Sequence, residues 1–137
     1  MKIYFIRHGE AEIYAEDDFK RKLTTIGRVK LENSFKTFAN SLEDKRSYKI
    51  YSSPLERAKE TAEILAKHLD STYEVKDYLA GARIRDILKS LDQDENYILV
   101  SHEPFISNWI YQLTGEMKIV SRGSINFVEL DPKEFID

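Results

Sequence analysis

The chain has 137 residues, with 21 basic and 24 acidic side chains, three histidines and no cysteine. That length fits one compact domain, residues 1–137, whose core needs no disulfide or structural metal. The absence of cysteine excludes thiolate metal sites, the net charge of −3 disfavours nucleic-acid binding, and the lack of a long apolar run or signal-peptide core predicts a cytoplasmic protein with no membrane partner.

Strands and helices alternate along the first part of the chain. Residues 2–6 form a short apolar run typical of a buried strand, and residues 9–22 lack periodicity and are predicted to form a loop. Thr24 or Thr25 is the predicted N-cap of a long helix. The apolar residues expected on its inward face are Ile26, Val29, Leu31, Phe35, Phe38, Ala39 and Leu42.

The alternation continues after residue 47. Residues 48–51 form a predicted strand, and Ser52-Ser53-Pro54 predicts a serine cap with Pro54 at the first helical position. The remaining predicted elements are a strand at 72–75, a helix at 84–91, a strand at 97–100, a helix at 105–113 and a strand at 125–130. This order predicts an α/β fold, a three-layer sandwich with a mostly parallel central sheet flanked by helices.

Charged or imidazole side chains follow three of the predicted strands. Arg7 and His8 follow the first, Arg57 follows the second, and His102 follows the strand at 97–100. Open α/β sheets bind ligands at the carboxyl ends of their strands. Guanidinium groups suit a phosphoryl dianion, and their charge keeps a nearby histidine neutral with a free lone pair. The pattern therefore predicts phosphoryl transfer to a histidine without a metal.

Each of these residues also has a simpler interpretation. Arg57 would by default be an exposed helical arginine paired with Glu56, Glu60 or Thr61. His102 would be a buried histidine that bonds to a backbone carbonyl, and His8 would pack under a loop. Because all three lie at the same predicted edge of the sheet, a common site explains them better than three separate accidents.

The same residues resemble a known family. Arg7-His8-Gly9, the Leu-Thr-x-x-Gly pattern at 23–27, the Ser-Ser-Pro-Leu-x-Arg-Ala-x-x-Thr-Ala pattern at 52–62 and Ser101-His102 resemble, in order, the motifs of the histidine phosphatases, the phosphoglycerate mutase-like superfamily. The short chain and the sequence at 21–24 most resemble the SixA group of protein phosphohistidine phosphatases.

The resemblance implies a role for each matched residue. His8 would attack phosphorus, become transiently phosphorylated and then release phosphate to water. Arg7, Arg57 and His102 would form the phosphate pocket. Arg21 would add to that pocket, although it could equally belong to a solvated basic triplet. The resemblance implies no cofactor. The implied partner is a phosphohistidine-containing protein, such as a phosphotransfer domain, and a monomer is the favoured state of the enzyme.

A strong general acid is missing from the matched motifs. Larger members of the superfamily protonate an ester oxygen with a carboxylic acid, and the nearest candidates here are Asp77, Glu103 and Glu10, each also interpretable as a solvated charge. The imidazole of phosphohistidine can leave already protonated, so such a site suits P–N cleavage.

Two alternatives to a phosphohistidine phosphatase stay open. One is hydrolysis of a small phosphomonoester, and the other is a catalytically weak module that binds phosphate or a phosphoprotein. The shortness of the chain leaves few residues for a lid, which predicts an open site that a protein-borne phosphohistidine can enter.

Overall fold

The computed structural model describes residues 1–136, which form five strands and five helices. The strands are β1 (Lys2–Arg7), β2 (Tyr48–Ser52), β3 (Tyr73–Val75), β4 (Asn96–Ser101) and β5 (Ile125–Glu129). The helices are α1 (Thr25–Ser41), α2 (Glu56–His68), α3 (Ile84–Ser90), α4 (Phe105–Thr114) and α5 (Lys133–Ile136). Short 3-10 turns lie at Asp18–Lys20 and Asp77–Ala80. Among the described residues, no helix is long and apolar enough to cross a membrane.

All strands belong to one sheet with the order β3-β2-β4-β1-β5. β1, β2, β3 and β4 pair in parallel, and β5 runs antiparallel to β1 at the edge. Because β4 lies between β1 and β2, the carboxyl ends of these three strands are side by side. The topology therefore brings together the segments that begin at His8, Ser53 and His102.

Hydrophobic cores cover both faces of the sheet. Successive side chains of a strand point to opposite faces, so Ile6 joins one core and Phe5 the other. Helices α1 and α2 cover the first face, and α3 and α4 cover the second. This burial of both faces explains why the central strands are almost continuously apolar, and it confirms the predicted three-layer α/β sandwich.

The inward face of α1 is narrower than predicted. Ile26 and Val29 are 62% and 55% exposed, whereas the buried positions are Leu31 and, further along, Phe35, Phe38 and Ala39. At 100° per residue, Val29 lies about 200° around the helix from Leu31, which places it on the solvent side. The prediction that both residues face inward is wrong for this geometric reason.

The two helix starts predicted from capping patterns differ in outcome. Thr24 is the N-cap of α1, and its hydroxyl accepts a hydrogen bond from the Gly27 N–H at 2.9 Å. α2 begins at Glu56, two residues after Pro54, and its N-cap Leu55 has no side-chain bond. The predicted serine cap with proline at the first helical position is therefore wrong.

Candidate active site

The turn after β1 fixes the orientation of His8. The backbone N–H of His8 donates to the carbonyl of Ser101 at 3.1 Å, which ties the turn to the end of β4. The ring Nδ1 lies 2.7 Å from the carbonyl oxygen of Gly9. A carbonyl can only accept, so Nδ1 carries the ring proton and Nε2 keeps its lone pair.

A threonine from α2 holds the same turn from the other side. The Gly9 N–H donates to the Thr61 hydroxyl at 3.2 Å, and that hydroxyl donates to the carbonyl of Arg57 at 2.8 Å. Thr61 is fully buried. Thr61 therefore links the turn that carries His8 to the first turn of α2, which carries Arg57.

Arg57 reaches the free nitrogen of His8. Its Nε donates to His8 Nε2 at 3.4 Å, and both residues are 7% exposed. Its Nη1 donates to the carbonyl oxygen of Asp18 at 2.9 Å, and its Nη2 lies 3.4 Å from the Asp18 carboxylate. The guanidinium group thus lies between the histidine and the 3-10 turn of the loop before α1.

His102 completes a pair of imidazoles. Its ring centre is 5.1 Å from that of His8, and the residue is 5% exposed. Its Nε2 lies 2.5 Å from the hydroxyl oxygen of Ser53, at the end of β2. Its Nδ1 is buried and has no hydrogen-bond partner within residues 1–136.

Burial and neighbouring cations keep both imidazoles neutral. Burial lowers the pKa of His8 from 6.5 to about 4; the Gly9 hydrogen bond opposes this shift, and the charges of Arg57 and Arg7 reinforce it. Burial, together with smaller contributions from His8 and Arg57, lowers the pKa of His102 to about 3. Neutral His8, with its proton on Nδ1, has a free lone pair on Nε2 at physiological pH, which is what nucleophilic attack requires.

The other two predicted arginines occupy different positions around this pair. Nη1 of Arg7 donates to the carbonyl of Val120 at 3.0 Å, and its buried Nε has no partner in the described part of the chain. Arg21 bonds through Nε to the Asp18 carboxylate at 2.8 Å and through Nη1 to the carbonyl of Glu12 at 3.1 Å. Arg21 is therefore linked to Arg57 through the Asp18 carboxylate, which lies next to both arginines.

Within residues 1–136, the carboxylates of the three candidate general acids make no hydrogen bond or ion pair with His8, Arg57 or His102. Glu103 accepts a hydrogen bond from the Ser107 N–H at 2.7 Å, in the first turn of α4. Glu10 lines a cleft of about 350 Å³ between α1 and the turn before β5, and Asp77 is exposed. No group of three or more His, Cys, Asp or Glu residues that could hold a metal occurs among residues 1–136.

Asp18 and Ser53 contact the site but are not among the predicted site residues, although Ser53 lies within the matched pattern at 52–62. Asp18 lies within an acidic cluster that reads as solvated loop, and Ser53 reads as a helix cap. The loop that carries Asp18 contacts Arg57 through both the carbonyl oxygen and the carboxylate of Asp18. Only the proximity of Asp18 to Arg21, three residues later, could have indicated an ion pair.

The family model described as the histidine phosphatase superfamily (branch 1) matches residues 3–84, more than half of the chain. The chain belongs to this superfamily. Its fold matches the structure of the protein histidine phosphatase SixA complexed with tungstate, with a TM-score of 0.84 and 25% identity over 97% of this chain and 90% of that one. This domain is accordingly a phosphatase domain.

Two curated relatives are similar over different shares of the chain. The phosphohistidine phosphatase SixA homolog of Haemophilus influenzae is 29% identical over 88% of this chain and 82% of its own. The mitochondrial serine/threonine-protein phosphatase PGAM5 of Xenopus laevis is 39% identical over 61% of this chain. The chain spans only 30% of the length of that second relative.

Proposed function

We propose that this domain is a metal-independent phosphatase that hydrolyses phosphohistidine on a protein partner, through a phosphoryl group carried transiently on His8. The observation that carries the proposal is the bond of 2.7 Å between His8 Nδ1 and the Gly9 carbonyl. It leaves the Nε2 lone pair directed toward Arg57, where a bound phosphoryl group would lie.

The charge around His8 suits a phosphoryl dianion. Arg7, Arg21 and Arg57 bring three guanidinium groups to this edge of the sheet, against the single carboxylate of Asp18. Stabilisation of charge on the equatorial oxygens, together with positioning, is most of what phosphoryl transfer requires. In this mechanism Nε2 of His8 bonds to phosphorus as the substrate imidazole leaves, and water then attacks phosphorus and returns His8 to its neutral form.

The carboxylates support a P–N bond over a P–O bond as the substrate. An alkoxide leaving group needs a protonated acid, yet the carboxylate that reaches the site, Asp18, is held ionised because its hydrogen bond from Arg21 lowers its pKa. The Glu103 carboxylate is bonded to the Ser107 N–H in the first turn of α4. An imidazole needs no such donor, and the likeness to two SixA proteins agrees with that choice.

A phosphoenzyme trap tests the covalent step. The protein is incubated briefly with phosphoramidate, denatured, and assayed for acid-labile, alkali-stable phosphate. We expect a phosphoryl adduct in the wild type and in His68→Ala, whose histidine bonds to Glu32 on the surface, and none in His8→Ala. Equal phosphate release by wild type and His8→Ala, with no adduct, would refute the mechanism and favour a phosphate-binding module.

A second candidate is hydrolysis of phosphate esters, which the 39% identity to a serine/threonine-protein phosphatase over 85 residues favours. The discriminating comparison measures kcat/KM on a phosphohistidine-bearing phosphotransfer domain, on the same amount of a phosphoserine peptide and on a small phosphomonoester. We expect the phosphohistidine protein to be preferred. A higher kcat/KM for either ester would replace the proposed substrate.

A further inference from the structure

Ser53 lies at a contact that the phosphatase chemistry assigned to His8 and the arginines does not explain. It follows β2 and is fully buried, and its backbone N–H donates to the carbonyl of Val100 at 3.0 Å. This bond fixes Ser53 against β4, one strand away from the turn that carries His8. Its hydroxyl oxygen consequently faces the segment that begins at His102.

The hydroxyl of Ser53 has two neighbours. It accepts a hydrogen bond from the Leu55 N–H at 3.3 Å, and it lies 2.5 Å from Nε2 of His102. Since an N–H already occupies one lone pair of the oxygen, the hydroxyl proton needs an acceptor. Nε2 of His102 is the acceptor that the surrounding residues provide, because the described residues offer this hydroxyl no third contact.

The direction of that bond decides the tautomer of His102. If Ser53 donates to Nε2, the ring proton of neutral His102 lies on Nδ1. In the opposite tautomer Nε2–H would donate to Ser53, and both the buried hydroxyl proton and the Nδ1 lone pair would lack partners, which costs free energy twice. The first arrangement leaves only an Nδ1–H without a protein partner.

We propose that Ser53 is a positioning residue that fixes His102 in its Nδ1–H tautomer, so that this N–H donates a hydrogen bond to the phosphoryl group. That the acceptor of this hydrogen bond is a phosphoryl group rests on the proposed function. A phosphoryl oxygen accepts from an N–H and is repelled by a nitrogen lone pair. A neutral imidazole could present either an N–H or a lone pair at Nδ1. The hydrogen bond from Ser53 therefore makes His102 a hydrogen-bond donor at that atom.

The two histidines are each held in one tautomer by a different kind of partner. The carbonyl of Gly9 accepts from His8 and leaves a lone pair free for attack. The hydroxyl of Ser53 donates to His102 and leaves an N–H free for binding. Two neutral imidazoles with ring centres 5.1 Å apart thus acquire opposite functions, one as nucleophile and one as hydrogen-bond donor.

Nitrogen NMR of the ligand-free protein measures the tautomer directly. The chain has three histidines, so a long-range proton–nitrogen spectrum of protein labelled with ¹⁵N-histidine is simple to assign. We expect Nδ1 of His102 to show the shift of a protonated ring nitrogen and Nε2 that of an unprotonated one. Inorganic phosphate is expected to shift the Nδ1 signal. A wild-type His102 that is protonated on Nε2 would overturn the proposal without any variant.

Variants at adjacent serines provide the matched comparison. Ser53→Ala is expected to shift His102 toward the Nε2–H tautomer and to lower kcat/KM by about tenfold to a hundredfold. Ser53→Thr keeps a hydroxyl and is expected to restore both. Ser52→Ala is the control, because the Ser52 hydroxyl is equally buried but donates to the carbonyl of Ser53 at 2.9 Å.

These readouts separate the proposal from the function on which it rests. An unchanged tautomer in Ser53→Ala, or a loss of activity in Ser52→Ala as large as that in Ser53→Ala, would refute the role of Ser53. Absence of a His8 phosphoryl adduct, or a preference for esters, would refute the proposed function and leave the measured tautomer intact.

Discussion

Asp18 is the residue whose charge opposes the rest of the site. Its carboxylate bonds to Arg21 at 2.8 Å and lies 3.4 Å from Nη2 of Arg57, while its backbone carbonyl accepts from Nη1 of the same arginine. A phosphoryl dianion at Arg57 would meet this carboxylate as a competitor for the same guanidinium group. Asp18 therefore holds the arginines in place without ligand and weakens their attraction for the ligand.

This competition predicts that Asp18→Asn binds inorganic phosphate more tightly. The expected decrease in the inhibition constant of phosphate is about twofold to fivefold, the size of an exposed ion pair. Inhibition of turnover by phosphate at low ionic strength measures it.

Asp17→Asn is the matched control, because it removes the same charge one residue away, where the carboxylate caps the Phe19 N–H. An equal decrease in the inhibition constant of phosphate in both variants would mean that only the net charge of the protein affects phosphate binding. Weaker binding in Asp18→Asn would mean that Asp18 acts solely as a support for the arginines.

The start of α1 supports the turn that carries His8. The carbonyl of Glu10 accepts from the Thr24 N–H at 2.9 Å, and Thr24 caps the helix through Gly27. A Cβ atom at Gly27 would lie 2.5 Å from that same carbonyl oxygen. The Leu-Thr-x-x-Gly pattern thus lets the helix approach the backbone two residues after His8, which is why glycine is needed here.

Gly27→Ala is accordingly expected to destabilise the fold by about 1–3 kcal/mol, because the new methyl group meets backbone that cannot yield without moving the turn. Urea unfolding measures the loss, and a decrease in kcat/KM should accompany it.

Asn33→Ala, an exposed change in the middle of the same helix, is the control and should alter neither stability nor kcat/KM substantially. Unchanged stability in Gly27→Ala would show that the helix start can retreat without cost. The tight approach at Glu10 would then have no role in holding the turn.

At the scale of the whole molecule, the sheet order makes folding and protonation interdependent. β4 lies between β1 and β2, so His8 and His102 are buried together only when all three strands are paired. Burial lowers the pKa of His8 to about 4 and that of His102 to about 3, while in the unfolded chain both titrate near 6.5. The native state therefore excludes protons that the unfolded state binds.

Acidification is therefore expected to destabilise the folded protein. Between pH 6.5 and 4 the unfolded state binds more protons, so the free energy of unfolding decreases as the pH falls, by about 1.4 kcal/mol per pH unit for each histidine. Urea unfolding at a series of pH values measures this slope.

His8→Gln should reduce the slope, whereas Ser52→Ala, which removes no titratable group from the same edge, should keep it. A slope unaffected by His8→Gln would mean that other groups dominate acid destabilisation.

The amino-acid pattern alone was enough to predict the fold class and a cluster of candidate site residues. Alternating apolar runs and helical periodicities predicted the three-layer α/β fold, and the motifs after three strands predicted His8, Arg7, Arg57 and His102 as one cluster. The four residues do lie at one edge of the sheet, where Arg57 bonds to His8 and the His8 and His102 rings are neighbours, because parallel strands place their carboxyl ends together.

Only the tertiary structure decided the partners of each polar atom. Whether Ser53 caps a helix or bonds to His102, and whether Asp18 is solvated or paired with Arg57, depends on contacts between residues 49 and 39 positions apart. Local patterns report on neighbours within a turn or two, so they cannot show such contacts. The exposure of Val29 on α1 also could not be predicted from the local pattern, because the elements that pack against a helix decide which of its faces is buried.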